Sequence, residues 1–131
     1  MNASAISHRT ALVVEDEEQI AYLLRFILER EGYKVELASD GQVAQDRILN
    51  GAPPALVLLD VMLPFMDGYQ LLAVMRAQAG WQSVPVLMLT AKSQGKDIDR
   101  AIGSGATDYM VKPFKPDELR VRIRRLVKEL G

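Results

Sequence analysis

The sequence contains no cysteine, a single tryptophan and a single histidine. Without a thiol there can be no disulfide, no thiolate nucleophile and no cysteine-based zinc site, and a reducing compartment suits such a chain. A charge excess of either sign is also missing. Sixteen Lys and Arg stand against 17 Asp and Glu, a formal net charge of −1. A domain whose main work is to neutralise nucleic-acid phosphates or an anionic membrane usually carries a basic excess, so direct nucleic-acid binding and membrane association are not expected. No apolar run approaches the roughly 18 residues of a spanning helix. Met1 to Arg9 is small and polar, without the apolar stretch that follows the positive start of a secretory signal. A cytoplasmic protein is expected. There are no internal repeats, linkers or low-complexity segments.

What is present is an alternation of short apolar runs with stretches of helical period. A chain of 131 residues, 49% apolar and 25% charged, suits one globular domain with one core. Residues 1–9 read as a flexible tail and 10–131 as the folded domain. Thr10 to Val14 is a buried-strand candidate that stops at Glu15-Asp16-Glu17-Glu18. Ile20, Leu23, Leu24, Ile27 and Leu28 then form one stripe of an amphipathic helix, closed by Gly32. Lys34 to Ala38 reads as a second strand. Asp40 can cap a helix that runs to Asn50 and is stopped by Gly51-Ala52-Pro53-Pro54. Ala55 to Leu59 is the clearest strand and ends on Asp60. A loop through Pro64 and Gly68 leads to a helix carrying Leu71, Leu72 and Met75. Val84 to Leu89 is a strand ending on Thr90, and Asp108 to Val111 a short one ending on Lys112-Pro113. Between them, Ala91 to Gly105 is polar, contains Gly95, Gly103 and Gly105, and predicts a short, weak helix in the least stable part of the fold. Pro116 opens a last helix with Leu119, Ile123, Leu126, Val127 and Leu130 on its buried stripe. Five strands, each followed by a helix, imply a doubly wound α/β domain with a five-stranded parallel sheet covered on both faces.

In open parallel sheets, ligands collect in the crevice outside the carboxyl ends of the strands. Here the strands end on Glu15-Asp16, Asp60, Thr90 and Lys112, so three carboxylates, a hydroxyl and an ammonium converge. Glu17 and Glu18 lie one step further on and read as helix-start charges. Asp60 follows five apolar residues, which predicts a half-buried carboxylate. Two such charges about 4 Å apart repel by about 4 kcal/mol at an effective dielectric of about 20. A hard divalent cation offsets that repulsion, and Mg²⁺ favours one or two carboxylates with water and phosphate oxygens. The grouping suits phosphoryl transfer to a carboxylate, with Asp60 as nucleophile and Lys112 and the metal facing the equatorial oxygens. Thr90 can donate its hydroxyl to a phosphoryl oxygen. A backbone carbonyl at Met62 is the expected remaining protein ligand of the metal.

The ordered set Val14-Glu15-Asp16-Glu17, Leu59-Asp60-Val61-Met62-Leu63-Pro64, Met66-Asp67-Gly68, Leu89-Thr90-Ala91-Lys92, Gly105-Ala106 and Asp108-Tyr109-Met110-Val111-Lys112-Pro113-Phe114 resembles the receiver domain of two-component response regulators. The match runs from about Ala11 to Leu130. The resemblance implies a flavodoxin-like (βα)5 fold with strand order 2-1-3-4-5. It implies phosphorylation of Asp60 from a sensor kinase or phosphotransfer protein. It also implies direct metal ligation by Asp16 and a water-mediated role for Glu15. Thr90 and Tyr109 would form the switch, the hydroxyl moving towards the phosphoryl group and the ring turning inward. Met62 and Lys92 would flank the path of the hydrolytic water. The mixed charges of Lys92, Lys96, Asp97, Asp99 and Arg100 against Arg120, Arg122, Arg124, Arg125 and Lys128 resemble a dimerisation face built from the fourth helix, fifth strand and fifth helix.

Two positions depart from the family's pattern: Glu15, where an aspartate is frequent, and Phe65, where glycine is usual. Neither removes a chemical group. A small Mg²⁺-dependent phosphohydrolase would need a second acid two residues after Asp60, and Met62 stands there. A flavin or nucleotide module would want a glycine- or hydroxyl-rich phosphate loop after the first strand, where this chain has four acids. A pseudo-receiver acting by contact alone would not need Asp16, Asp60, Thr90 and Lys112 intact. His8 lies in the tail, outside any helix that could present it for phosphotransfer. Trp81, in a polar connection, is expected to be partly exposed.

Overall fold

A computed structural model describes residues 9–91 and 95–130. The strands are β1 (Thr10–Val14), β2 (Lys34–Ala38), β3 (Leu56–Asp60), β4 (Val86–Thr90) and β5 (Asp108–Val111). The helices are α1 (Glu18–Arg30), α2 (Gly41–Asn50), α3 (Gly68–Ala77), α4 (Gly95–Gly103) and α5 (Pro116–Leu130). All strand pairs are parallel, in the order β2-β1-β3-β4-β5, as the flavodoxin-like expectation has it. The register aligns Val14 with both Ala38 and Leu59, Asp60 with Leu89, and Thr90 with Val111, so the carboxyl ends form one rim.

The period of two along each strand divides the core between the two faces. Ala11, Val13, Leu56, Leu58, Leu87 and Leu89 point to one side, where α1 supplies Leu24, Ile27 and Leu28 and α5 supplies Leu119, Ile123 and Leu126. Leu12, Val14, Val57, Leu59, Val86 and Met88 point to the other, against Ala44 and Ile48 of α2, Leu71, Leu72 and Met75 of α3, and Ala101 of α4. Because both faces are covered, β3 and β4 are buried along their whole length and read as continuous apolar runs.

Local signals set the element ends. Gly32 has φ +92°, the left-handed conformation that closes α1. The Asp40 side chain accepts from the Val43 N–H and starts α2. Asp67 and Gln70 form a reciprocal capping box at the start of α3. β4 begins at Val86 rather than at Val84. Pro85 has no N–H to give a ladder, and its carbonyl instead accepts from the Val57 N–H at 3.0 Å.

Two packing expectations are corrected. Leu23 is 41% exposed rather than part of the buried stripe of α1, which consists of Ala21, Leu24, Ile27 and Leu28. The sheet covers a narrower arc of the helix than its apolar residues span, and Tyr22, Leu23 and Phe26 are left on the outside. Trp81 is 0% exposed rather than partly exposed. Its ring lies in the core on the α2 and α3 side, with the Arg47 guanidinium carbon 5.7 Å from the ring centre.

Candidate functional site

The site is built from the ends of β1, β3, β4 and β5. Glu15 continues β1, and its N–H bonds the Ala38 carbonyl at 3.1 Å, which fixes the backbone of the acidic pair to the sheet. Asp60 is the last residue of β3 and is 6% exposed, deeper than the half-burial expected of it. Thr90 ends β4 with its side chain buried. Its carbonyl accepts from the Lys112 N–H at 2.8 Å, so the strand that carries the hydroxyl also positions the ammonium. The Lys112–Pro113 peptide is cis.

The three carboxylates and the ammonium come together. Lys112 Nζ lies 2.6 Å from Glu15 Oε1 and 3.3 Å from Asp60 Oδ2. The Glu17 N–H donates to Glu15 Oε2 at 3.2 Å, and the Met62 N–H to Asp60 Oδ1 at 3.4 Å. Glu15, Asp16 and Asp60 each offer an oxygen within 4.8 Å of the others, Asp16 being the exposed member. Burial raises the Glu15 pKa above its usual range; the hydrogen bond from Lys112 opposes this and the Asp60 charge adds to it. Burial pulls the Lys112 pKa down, but the bond to Glu15 and the charges of Asp60 and Glu15 outweigh it and leave the ammonium more basic than usual. Three carboxylates against one ammonium leave a formal surplus of two negative charges. An all-oxygen donor set with that surplus fits a hard divalent cation.

The loop after Asp60 is held by Gly68. Its N–H donates to the Val61 carbonyl at 2.9 Å, and a Cβ there would lie 2.4 Å from the Asp60 carbonyl oxygen. Phe65, the departure noted in the sequence, takes φ +71° and is 80% exposed at the outer edge of this loop, where Met62 is exposed as well. On the other side, Tyr109 is 6% exposed and its hydroxyl is hydrogen-bonded by Thr90. The ring is thus already inside in this structure, and burial raises the pKa of its hydroxyl. Lys92 and His8 lie outside the described residues, as do the side chains of Lys96 and Lys128.

The surface of α4, β5 and α5 carries charge, with apolar side chains among it. Arg122 pairs with Asp108 at 3.1 Å and donates to the Tyr109 carbonyl at 3.1 Å. Arg120 pairs with Asp117. Arg124, expected on this face, instead makes a two-pronged bond to Glu31 at the end of α1, at 2.6 and 3.0 Å. Ile98 and Ile102 of α4 are exposed, and Val121 of α5 is exposed on the side shared with Arg30 and Glu31 of α1. The sequence reading passed over Tyr69 and Arg76 of α3, both of which contact the α4 region. Neither residue sits in a motif that points to α4, because both contacts depend on partners 28 and 29 positions along the chain.

With this geometry in view, the chain belongs to the response regulator receiver domain family, whose model matches residues 11–124. It is similar to the alkaline phosphatase synthesis transcriptional regulatory protein PhoP of Bacillus subtilis, 42% identical over 92% of this chain and 49% of that protein. The DNA-binding response regulator MtrA of Mycobacterium tuberculosis is 43% identical over 86% of this chain and 48% of its own length. The chain therefore spans about half the length of these curated relatives. Among solved structures, the receiver domain of the Francisella response regulator 1452 superposes with a TM-score of 0.85 at 32% identity, covering 94% of this chain and 99% of that one. The receiver domain of the sensor histidine kinase PA1611 from Pseudomonas aeruginosa, with a magnesium ion coordinated in its active site cleft, gives 0.82 at 32% identity over 92% and 98%. Among the described residues no helix is long and apolar enough to cross a membrane.

Proposed function

We propose that this domain is a phosphorylation-activated switch of a two-component phosphorelay. Asp60 takes a phosphoryl group from the phosphohistidine of a sensor kinase or phosphotransfer protein, and the face of α4, β5 and α5 changes in response. The observation that carries this reading is the buried Asp60 carboxylate at the rim of the sheet, with Lys112 Nζ 3.3 Å away and the oxygens of Glu15 and Asp16 beside it. A carboxylate oxygen of Asp60 attacks phosphorus as the bond to the donor imidazole nitrogen breaks. The imidazole keeps the electron pair and takes up a proton. Lys112 faces the charge spread over the transferred oxygens, and positioning supplies most of the remaining rate.

Asp16 and Asp60 would hold Mg²⁺ directly, with the Met62 carbonyl, and Glu15 through water. When bound, Mg²⁺ supplies positive charge against the phosphoryl oxygens. The magnesium in the cleft of the Pseudomonas relative supports this assignment. Thr90 engages the Tyr109 hydroxyl, so a phosphoryl group that draws the threonine hydroxyl towards itself is felt at Tyr109, which ties the site to that ring. Met62 and Lys92 would set the rate at which water ends the signal. The domain is a substrate for its own chemistry rather than a conventional enzyme, and it works where kinases of this class expose phosphohistidine, in the cytoplasm. Exposed Ile98 and Ile102 among the charges of α4 suit a homodimer in the phosphorylated state.

Intact mass after incubation with acetyl phosphate tests the reading. Wild type should gain one phosphoryl group only with Mg²⁺, and Asp60→Asn none. An adduct of equal yield in Asp60→Asn would contradict it.

A further inference from the structure

Helix α4 is held to α3 near both of its ends, by contacts of unequal strength. At the C-terminal end, Arg76 donates from Nε and Nη2 to the Gly105 carbonyl at 3.0 and 2.7 Å. Its Nη1 donates to the Trp81 and Val84 carbonyls at 2.8 and 2.9 Å. These are four bonds from a charged donor, the strong kind. Gly105 has φ +108°, and a Cβ there would lie 3.1 Å from Arg76 Cγ, so the close approach is confined to glycine.

At the N-terminal end the holding residue is Tyr69. Its hydroxyl donates to the Asp97 carbonyl at a long 3.4 Å, and the Arg100 guanidinium carbon lies 3.9 Å from its ring centre. Arg100 is exposed, where such a stacked cation shifts an equilibrium only about two- to fivefold. Tyr69 directly follows Gly68, the residue packed on the Asp60 carbonyl. Little apolar burial resists movement of α4. Among its described side chains Ala101 is the fully buried one, while Ile98 and Ile102 remain 36% and 48% exposed.

We propose that Tyr69 and Arg100 form a latch that holds α4 in the unphosphorylated arrangement, and that α4 swings about the Arg76–Gly105 pivot when Asp60 is phosphorylated. The inference rests on the proposed phosphorylation of Asp60 and adds to it a route to α4 that does not pass through Thr90 and Tyr109. Movement of the loop after Asp60 reaches Tyr69 through Gly68, and the weaker of the two attachments gives way.

Linkage supplies the test. A latch present only in the unphosphorylated form opposes any ligand that favours the other form, so its removal must tighten that ligand. Beryllofluoride with Mg²⁺, titrated and followed by backbone amide NMR shifts, is the probe. Arg100→Ala should lower the half-saturating concentration about two- to fivefold. Arg100→Lys, which keeps a cation over the ring, should stay near wild type. In the unliganded protein, Arg100→Ala should speed amide exchange at Asp99 to Ala101, beyond the first turn of α4. Ser104, Gly105 and Ala106, whose N–H groups bond the Arg100, Ile102 and Ala101 carbonyls, should remain protected. An unchanged or raised half-saturation overturns the latch. If beryllofluoride fails to bind even wild type, the reading of Asp60 falls, and the exchange of unliganded Arg100→Ala still decides: no acceleration overturns the latch too.

Discussion

At Lys112 one ammonium stands between two carboxylates, 2.6 Å from Glu15 and 3.3 Å from Asp60. Removing it leaves two buried acids facing each other without a cation. Lys112→Gln should lower stability to urea by about 1–3 kcal/mol, less than a fully enclosed pair because the side chain retains some access to water. Added Mg²⁺ should recover more stability in the variant than in wild type, since the surplus negative charge has grown; equal recovery would argue against a cation site here. Thr90→Ala separates chemistry from response. The adduct on Asp60 should still form with acetyl phosphate, while the change in amide exchange that phosphorylation causes around Tyr109 should be lost. Trp81 offers a packing test. Among the described residues its indole nitrogen has no hydrogen-bond partner, so Trp81→Phe loses ring volume but no such bond. Trp81→Ala should cost about 3–5 kcal/mol and Trp81→Phe less than half of that, measured by denaturant unfolding.

Helices α1 and α5 share one side of the sheet, and the pair Glu31–Arg124 ties their surfaces together. The hydrogen bond from Arg124 holds the Glu31 pKa below its ordinary 4.5, against a smaller opposing effect of burial. A depressed carboxylate pKa adds stability that is present above the ordinary value and lost as pH falls through the folded-state value. The stability difference between wild type and Glu31→Gln should therefore be constant at neutral pH and shrink below pH 4.5. A difference that grows on acidification would contradict the pairing. At this scale the sequence was readable wherever a signal was local. Gly32, Asp40 and the run ending on Asp60 set their element ends through their own backbone chemistry, and the strand-end residues converge because parallel strands place all their carboxyl ends on one rim. Leu23 and Trp81 were misread because their burial depends on partners far along the chain. The apolar stripe of α1 does not say how wide an arc the sheet will cover, and the polar neighbours of Trp81 do not reveal the cavity between α2 and α3 that its ring fills. The Tyr69–Arg100 stack was invisible for the same reason.

Across the whole molecule, a near-neutral chain sets Glu15 to Glu18 and Asp60 at one rim of the sheet, while its basic residues are spread over the chain, five of the 16 lying on α5. The two faces divide the work. The side carrying α1 and α5 is packed by large aliphatic residues from both helices, whereas α4 on the other side contributes Ala101 to the core and leaves its isoleucines outside. Asp60 thus sits on a well-packed rim on the same molecule as a helix that, among its described side chains, gives the core one fully buried residue, which suits the proposed switch. The relatives whose length this chain half covers are named as transcriptional and DNA-binding regulators. In the proposed reading this receiver domain carries the receiving chemistry. Borohydride reduction of the acetyl-phosphate-treated protein, followed by peptide mapping, locates that chemistry directly. Hydride converts an aspartyl phosphate to homoserine, and the account predicts homoserine at position 60 in samples treated with Mg²⁺. Homoserine at another acid, or none in Mg²⁺-treated protein, would contradict it.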